Sequence, residues 1–357
     1  TFIDLFAGIG GFRMAMQNLG GKCVFSSEWD VQAQKTYLLN YGEVPFGDIT
    51  KESTKSFIPD DFDILCAGFP CQAFSLAGKR LGFEETRGTL FFDVAEIIRR
   101  KRPKAFFLEN VKGLLIHDKG KTIQTILKVL REDLDYYVPE PQIVNAMNFG
   151  VPQHRERVYI VGFRKDIDAK WSFPKATHSK EALLYSKWIT GDYWEQHKLL
   201  KPSESPLSKN MERSVRTAIE CTDKKLFPWQ TVRDALHDLP DPRSNDAQKF
   251  DNHIFRAGAK SYPGHSGSVL DEPSKTIKAG AHGVPGGENM LVLDSGEVRY
   301  YTVRESARIQ TFPDDYKFVA SWTESMRQIG NAVPVKLANA VGVSVLTQLE
   351  EVHHAKK

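Results

Sequence analysis

A cysteine set between a proline and a glutamine, Phe69-Pro70-Cys71-Gln72, directly follows the apolar run Ile64 to Ala67. Cys71 therefore falls just past the carboxyl end of an expected strand, where open α/β sheets collect their ligands. A thiolate there is a candidate nucleophile if its surroundings favour ionisation and access. Cys66, inside the apolar run, reads instead as a small buried hydrophobe. A second apolar run, Ala105 to Leu108, ends in Glu109-Asn110-Val111. A carboxylic acid beside a cysteine suits addition to a ring that must take up a proton as the sulfur bonds. The same residues would also fit a helix cap at Asn110 with Glu109 as a surface charge. A third cluster, Gln153-His154-Arg155-Glu156-Arg157, precedes the run Val158 to Gly162. In an extended segment Arg155 and Arg157 face the same way and could grip one polar or phosphate-bearing group together. Arginines at a strand edge can equally be solvated.

The elements that must carry these residues follow from the rhythm of the first 165 positions. Apolar runs at Thr1 to Phe6, Lys22 to Ser26, Ile64 to Ala67, Ala105 to Leu108 and Arg157 to Gly162 alternate with helical patterns. The helical patterns lie at Phe12 to Leu19, Val31 to Tyr41, Gly88 to Arg100 and Lys121 to Leu130. This is the βαβ pattern of a parallel or mixed sheet covered by helices. Between the first strand and first helix lies Phe6-Ala7-Gly8-Ile9-Gly10-Gly11-Phe12, where glycines let the backbone approach a ligand and the helix start offers free N–H groups. Such a turn can also serve packing alone. After residue 165 the composition shifts. Gly191 is the lone glycine between Lys165 and Ala257, whereas Gly258 to Gly287 is glycine-rich and reads as loops. A helix is expected at Thr231 to Leu239, stopped by Pro240, and another at Val335 to Leu349.

Bulk properties bound the function without naming it. The 357 residues are long enough for two domains, and a charge of +3 from 48 basic and 45 acidic residues permits DNA as a partner without arguing for it. No apolar run approaches the roughly 18 residues of a membrane span, so none is expected. Four cysteines without paired spacing suit a reducing, cytoplasmic setting, and the histidines have no ligand partners at metal spacing. The first residue is not Met and already lies in a strand-like run, which suggests a trimmed start with no secretory leader.

Five segments in order, Phe6 to Gly11, Phe69-Pro70-Cys71-Gln72, Glu109-Asn110-Val111, the Gln-x-Arg-x-Arg of 153–157 and Gln328-Ile-Gly-Asn-Ala-Val-Pro, resemble the motif series of bacterial DNA (cytosine-5) methyltransferases of restriction–modification type. The resemblance implies an α/β, Rossmann-like methyltransferase domain with a mixed sheet, formed by 1–165 and completed by 301–357. It also implies a smaller irregular α+β target-recognition domain over 166–300. The implied cofactor is S-adenosylmethionine, leaving as S-adenosylhomocysteine, with no metal. Its site would use Phe6, Ala7, Gly8, Gly10, Gly11, Glu28 at the ribose, Trp29 and Asp48 with Ile49 at the adenine, Pro70, Asn331 and Val333.

By the same resemblance Cys71 adds to C6 of a cytosine flipped out of the helix and Glu109 hydrogen-bonds its N3 and amine. Arg157 would hold the base carbonyl, and Arg155 would support the catalytic loop. The segment Ser75-Leu76-Ala77-Gly78-Lys79-Arg80 resembles a mobile loop over the flipped base. Gln72, Ser75, Lys79, Arg80 and Arg87 are candidate DNA contacts there, with Ala77 standing where some relatives have a serine. In the recognition region Arg256, Lys260, Lys275, Thr276 and Lys278 are candidates, Thr276-Ile277 resembling a short Thr-Leu element near the flipped nucleotide. Residues 301–316 resemble the segment that organises that region. The expected partner is double-stranded DNA, met by a monomer, with a restriction endonuclease acting on the same sequence without a stable complex. A related subgroup acting on tRNA usually has Pro-Pro-Cys-Gln and a Cys-Phe-Thr, both missing here. A non-catalytic scaffold would have lost the cysteine, and a nicotinamide dehydrogenase would leave the cysteine and arginine motifs without work.

Overall fold

Four consecutive residues, Phe2–Leu5, are buried on both faces and form β1, as expected of a strand inside a parallel sheet. This computed structural model describes residues 1–70, 90–221, 226–279 and 289–355. Strand β1 pairs in parallel with β2 (Cys23–Ser27) on one side and β3 (Ile64–Gly68) on the other. β3 pairs in parallel with β4 (Ala105–Val111), and β4 pairs antiparallel with the long β7 (Glu156–Arg164). The short β5 (Tyr136–Tyr137) and β6 (Gln142–Asn145) both pair with β7, so the order is β2-β1-β3-β4-β7-β5 with β6 off that path. The chain leaves β1 toward β2 and later returns to the other side at β3. The ends of β1 and β3 thus flank a topological switch point, where a ligand crevice opens in such sheets.

Helices α1 (Gly11–Asn18), α2 (Val31–Tyr41), α3 (Glu52–Lys55), α4 (Leu90–Lys101) and α5 (Lys121–Lys128) connect these strands. Their limits are written locally. Asp30 caps α2 by accepting from the N–H groups of Gln32 and Ala33, and Gly42 ends it at φ 72°. α4 buries Phe91, Phe92, Val94, Ala95, Ile97 and Ile98 on one face and closes with Arg99, Arg100 and Lys101, cations at the negative end of the helix. The core runs from Ile3 and Leu5 through Leu65, Phe106 and Leu108 to Val158 and Ile160.

Two compact units form. One contains Thr1–Val144, Glu156–Pro174 and Ala338–Lys357; the other contains Asn145–Arg155 and Lys175–Leu337. These limits differ from the functional division expected at 165/166 and 300/301. Residues 145–155 and 301–337 make their contacts with the second unit, for reasons visible in the hydrogen bonds below. The second unit holds α6 (Lys180–Leu184), α7 (Asp192–Gln196), α8 (Lys209–Glu220), α9 (Val232–Leu236), α10 (Val303–Ile309) and α11 (Trp322–Asn331). Its strands are short: β8 (His178–Ser179) with β9 (Phe227–Pro228), and β10 (Ser268–Val269), β11 (Met290–Val292) and β12 (Val298–Tyr300) in a three-stranded sheet.

With so little regular pairing, buried arginines take up loop carbonyls. Arg304, wholly buried, donates to Asp251 O, Pro313 O and Tyr316 O at 3.0, 2.9 and 2.8 Å. Thr302 and Glu305 form a capping box that starts α10. The final helix α12 (Val335–Ala355) runs longer than the sequence pattern suggests, because Glu350 and Glu351 are good helix formers and carry it on. The span Trp322–Val352 reaches the length and hydropathy of a membrane crossing, yet 61% of its apolar window is buried inside the fold. In the first unit Asn339 donates to Ala15 O, and Gly342 packs so closely that a Cβ would lie 3.1 Å from Leu19 and from Met16. Its apolarity is that of a core helix.

One polar residue interrupts the apolar centre. Asp4 of β1 is fully buried, in register with Ser26 and Cys66, and burial pushes its carboxyl up to about 8 while the charge of Arg13 pulls back partway. In the unfolded chain the same group titrates near 3.9. Between those values the folded form holds a proton that the unfolded form releases, so stability falls as pH rises from about 4 to about 8. Asp4→Asn should therefore gain stability over the wild type progressively from pH 5 to pH 8 in urea melts. A difference between the two proteins that does not change with pH would contradict this burial.

Candidate active site

The first turn after β1 is a strained one. Phe6 and Gly8 both have φ 55° and Gly10 has φ 79°, and the left-handed region costs a side-chain-bearing residue such as Phe6 about 1–3 kcal/mol. What holds the turn is a carboxylate. Glu28, just past β2 and 7% exposed, accepts from the Gly8 N–H on one oxygen at 2.7 Å and from the Asp30 N–H on the other at 2.8 Å. Burial raises its pKa, and the N–H groups of Asp30 and Gly8 oppose that rise. A second restraint comes from Tyr41 at the end of α2. Its hydroxyl donates to Gly10 O at 2.9 Å, and a Cβ on Gly10 would lie 2.5 Å from its ring. Arg13 stacks over Tyr41 at 4.4 Å and bonds the Tyr37 hydroxyl and the Glu43 carboxylate. No sequence motif marked Tyr41.

Around this turn the first unit gathers several of the expected cofactor residues. Ala7 N donates to Ser27 O, and Glu28 N to Phe46 O, which draws the Phe46–Ile49 segment to the end of β2. Trp29 is 74% exposed, a large ring presented to solvent beside the buried Glu28. Ile49 is buried, and Asp48 accepts from the N–H and hydroxyl of Thr50. Beside Gly8 there is open space where a side chain would stand. A strained turn with space at Gly8, a buried acid and an exposed indole fit a nucleoside with a short charged tail. Gly11 begins α1, and Pro70 is exposed after β3.

At the end of β4 the acid and one arginine meet. Glu109 is buried in the strand, not a surface charge, and Arg157 Nε of β7 lies 2.9 Å from its Oε1. Asn110 is strand rather than helix cap, and its side chain donates to Phe69 O at 2.8 Å, tying the exit of β3 to β4. Cys66 is fully buried in β3 with its thiol pushed well above the usual range by burial. Cys71, Gln72, Ser75, Lys79, Arg80 and Arg87 lie outside the described residues.

Arg155 takes a different place from Arg157. It is buried in the second unit, donating to Ile277 O at 3.2 Å, Gly330 O at 2.8 Å and Ala332 O at 3.0 Å. The joint grip suggested by the i, i+2 spacing is therefore not made. Each guanidinium has its own partners. In the same unit Thr276 donates to His154 O at 2.5 Å, and Val333 is buried while Asn331 is exposed at the end of α11. Arg256, Lys260, Lys275 and Lys278 are exposed; Arg256 lies over the Trp322 ring and Lys275 donates to Ser266 Oγ. Among the described residues no group of His, Cys, Asp or Glu is arranged to hold a metal.

Residues 1–347 match the family model of the C-5 cytosine-specific DNA methylases. The chain belongs to that family. It is 49% identical over 352 residues to the type II methyltransferase M.HpaII of Haemophilus parainfluenzae, covering 98% of this chain and 90% of that one. It is 37% identical to M.HhaI of Haemophilus parahaemolyticus, covering 98% and 94%. Among solved structures, the S. pombe Dnmt2 methyltransferase shares the fold with a TM-score of 0.62 at 18% identity, over 98% of each chain. A C-5 cytosine-specific DNA methylase transfers a methyl group from S-adenosylmethionine to DNA, and the first unit is its Rossmann-like, mixed-sheet methyltransferase fold.

Because Glu28 holds the turn through charge-assisted hydrogen bonds, each worth about 1.5–3 kcal/mol, replacing it by alanine releases Gly8 and Asp30 together. Glu28→Ala should weaken S-adenosylmethionine binding on the order of tenfold or more by calorimetry, with DNA binding nearly unchanged. An unaltered cofactor dissociation constant would remove Glu28 from the site.

Proposed function

We propose that this methylase attacks its target cytosine covalently, with Cys71 as nucleophile and Glu109 as the acid at the ring. The observation that carries the reading is the buried Glu109 carboxylate at the end of β4, held 2.9 Å from Arg157 in a chain of this family. The Cys71 thiolate adds to C6 while Glu109 hydrogen-bonds N3 and the exocyclic amine, so the electron pair that would load N3 is met by a proton. C5 becomes nucleophilic. S-adenosylmethionine, when bound, supplies the electrophilic methyl group and leaves as S-adenosylhomocysteine. N3 returns its proton to Glu109, water takes the C5 proton, and the freed electron pair forms the C5–C6 double bond as Cys71 leaves C6 as the thiolate, which restores the aromatic ring. Arg157 serves two ends, orienting Glu109 and meeting the base carbonyl. Arg155, committed to three main-chain carbonyls, is a positioning residue rather than a substrate contact.

The base must leave the stack for either ring face to be reached, at a cost of a few kcal/mol, roughly. Gln72, Ser75, Lys79, Arg80 and Arg87 fit contacts to the DNA around it. The turn from Phe6 to Gly11 with Glu28, Trp29, Asp48, Ile49, Pro70, Asn331 and Val333 would hold the cofactor. Residues 166–300 would read the sequence through groove contacts from Arg256, Lys260, Lys275, Thr276 and Lys278, since a pocket holding one flipped base cannot read its neighbours. The enzyme would act in the cytoplasm as a monomer on double-stranded DNA, protecting it from a restriction endonuclease of the same specificity.

DNA carrying 5-fluorocytosine at the target position should trap the wild-type chain covalently in the presence of cofactor, because the fluorine cannot leave as a proton does. Cys71→Ser should give no adduct, while Cys66→Ser and Cys221→Ser should. Trapping that survives the loss of Cys71 would end this mechanism. The recognition assignment has its own test. Exchanging residues 166–300 for those of a relative that methylates another sequence should move methylation to the relative's sequence, and an active chimera with the original preference would contradict it.

A further inference from the structure

A one-way row of hydrogen bonds runs through the second unit, and the roles proposed above use only its ends. The Ile277 N–H donates to Gln153 Oε1 at 3.0 Å, and Gln153 Nε2 donates to Gln310 Oε1 at 3.0 Å. Gln310 Nε2 then donates to Ile329 O at 2.7 Å and Ala332 O at 3.1 Å. Gln153 and Gln310 are both wholly buried. Turning either amide over would set like groups face to face, so the sense of the row is fixed. The two segments it joins also touch directly, since a Cβ on Gly330 would lie 2.4 Å from Ala279 N.

We propose that Gln310 is a positioning residue that couples the cofactor-side segment, Asn331 to Val333, to the base-side pair Thr276-Ile277, through Gln153. This rests on the functional reading given above for those two segments. A buried amide that loses its partner cannot turn to water, so a shift of residues 329–332 is relayed through Gln310 and Gln153 to the Ile277 N–H. Filling of the cofactor side then favours one position of the base side, and by linkage DNA favours the cofactor equally.

The test is the dissociation constant of the full chain for its target DNA, measured with and without saturating S-adenosylhomocysteine. The wild type should bind DNA at least fivefold more tightly with the cofactor product present. Gln310→Met, which keeps the length without the polar atoms, should bring that ratio below twofold while each ligand alone still binds. Gln310→Leu should do the same, because it can neither accept from Gln153 nor donate to Ile329 and Ala332. Hydrogen exchange on the wild type needs no variant: S-adenosylhomocysteine should slow exchange of the 274–279 segment several-fold. A wild-type ratio of one, variants that keep the wild-type ratio, or exchange untouched by the cofactor product would overturn the coupling. Absent binding of either single ligand by the wild type would overturn the functional reading itself, and with it this inference.

Discussion

The ion pair between Arg157 and Glu109 depends on a strand direction. Because β7 runs antiparallel to β4, with Val111 opposite Arg157 and Glu109 opposite Tyr159, the arginine and the acid are diagonal neighbours on one face. A slip of one residue would send Arg157 to the other face and break the pair. Both side chains are largely out of solvent, so removing one partner costs about 3–5 kcal/mol, against about 0–1 for an exposed pair. The surrounding sheet therefore keeps the pair made, and the pair fixes the acid at the end of β4.

The same logic of strand ends governs the cofactor side. The strand order reverses between β1 and β3, and the backbone that leaves β1 there, from Phe6 to Gly11, is strained at Phe6. Strain of that kind persists only where neighbours over-determine it. Glu28 from the end of β2 and Tyr41 from the end of α2 supply the restraint from two directions. Asn110 does comparable work between β4 and Phe69, one residue short of Pro70. Each of these contacts to the turn or to Phe69 is a single hydrogen bond, yet each ties together the ends of separate strands or helices.

Much of this was legible in the sequence. The strands around Leu65, Phe107 and Ile160 are continuous apolar runs, and that around Ile3 is broken only by Asp4, as a fully buried parallel or central strand shows. The glycine turn and Glu109 stood at the ends of those runs and could be placed by position. What was not legible depends on distant partners. The spacing of Arg155 and Arg157 says that they alternate, but not that Arg155 goes to carbonyls more than a hundred residues away while Arg157 pairs with Glu109. Tyr41 and Gln310 carry no local signal, since an aromatic ending a helix and an amide following one are ordinary. The limits of the compact units escaped for the same reason: 145–155 and 301–337 are bound into the second unit by buried side chains such as Gln153 and Arg304, which no composition change marks.

The central claim is that the strand-end acid and arginine serve methylation of cytosine at C5 within a fixed DNA sequence. Bisulfite sequencing of genomic DNA from a host that lacks its own cytosine methylation and expresses this chain tests it most directly. Protected cytosines at one position of one short recurring sequence are expected, and their loss when Glu109 is replaced by alanine. Uniform conversion with the wild-type chain, or protection that persists without Glu109, would contradict it.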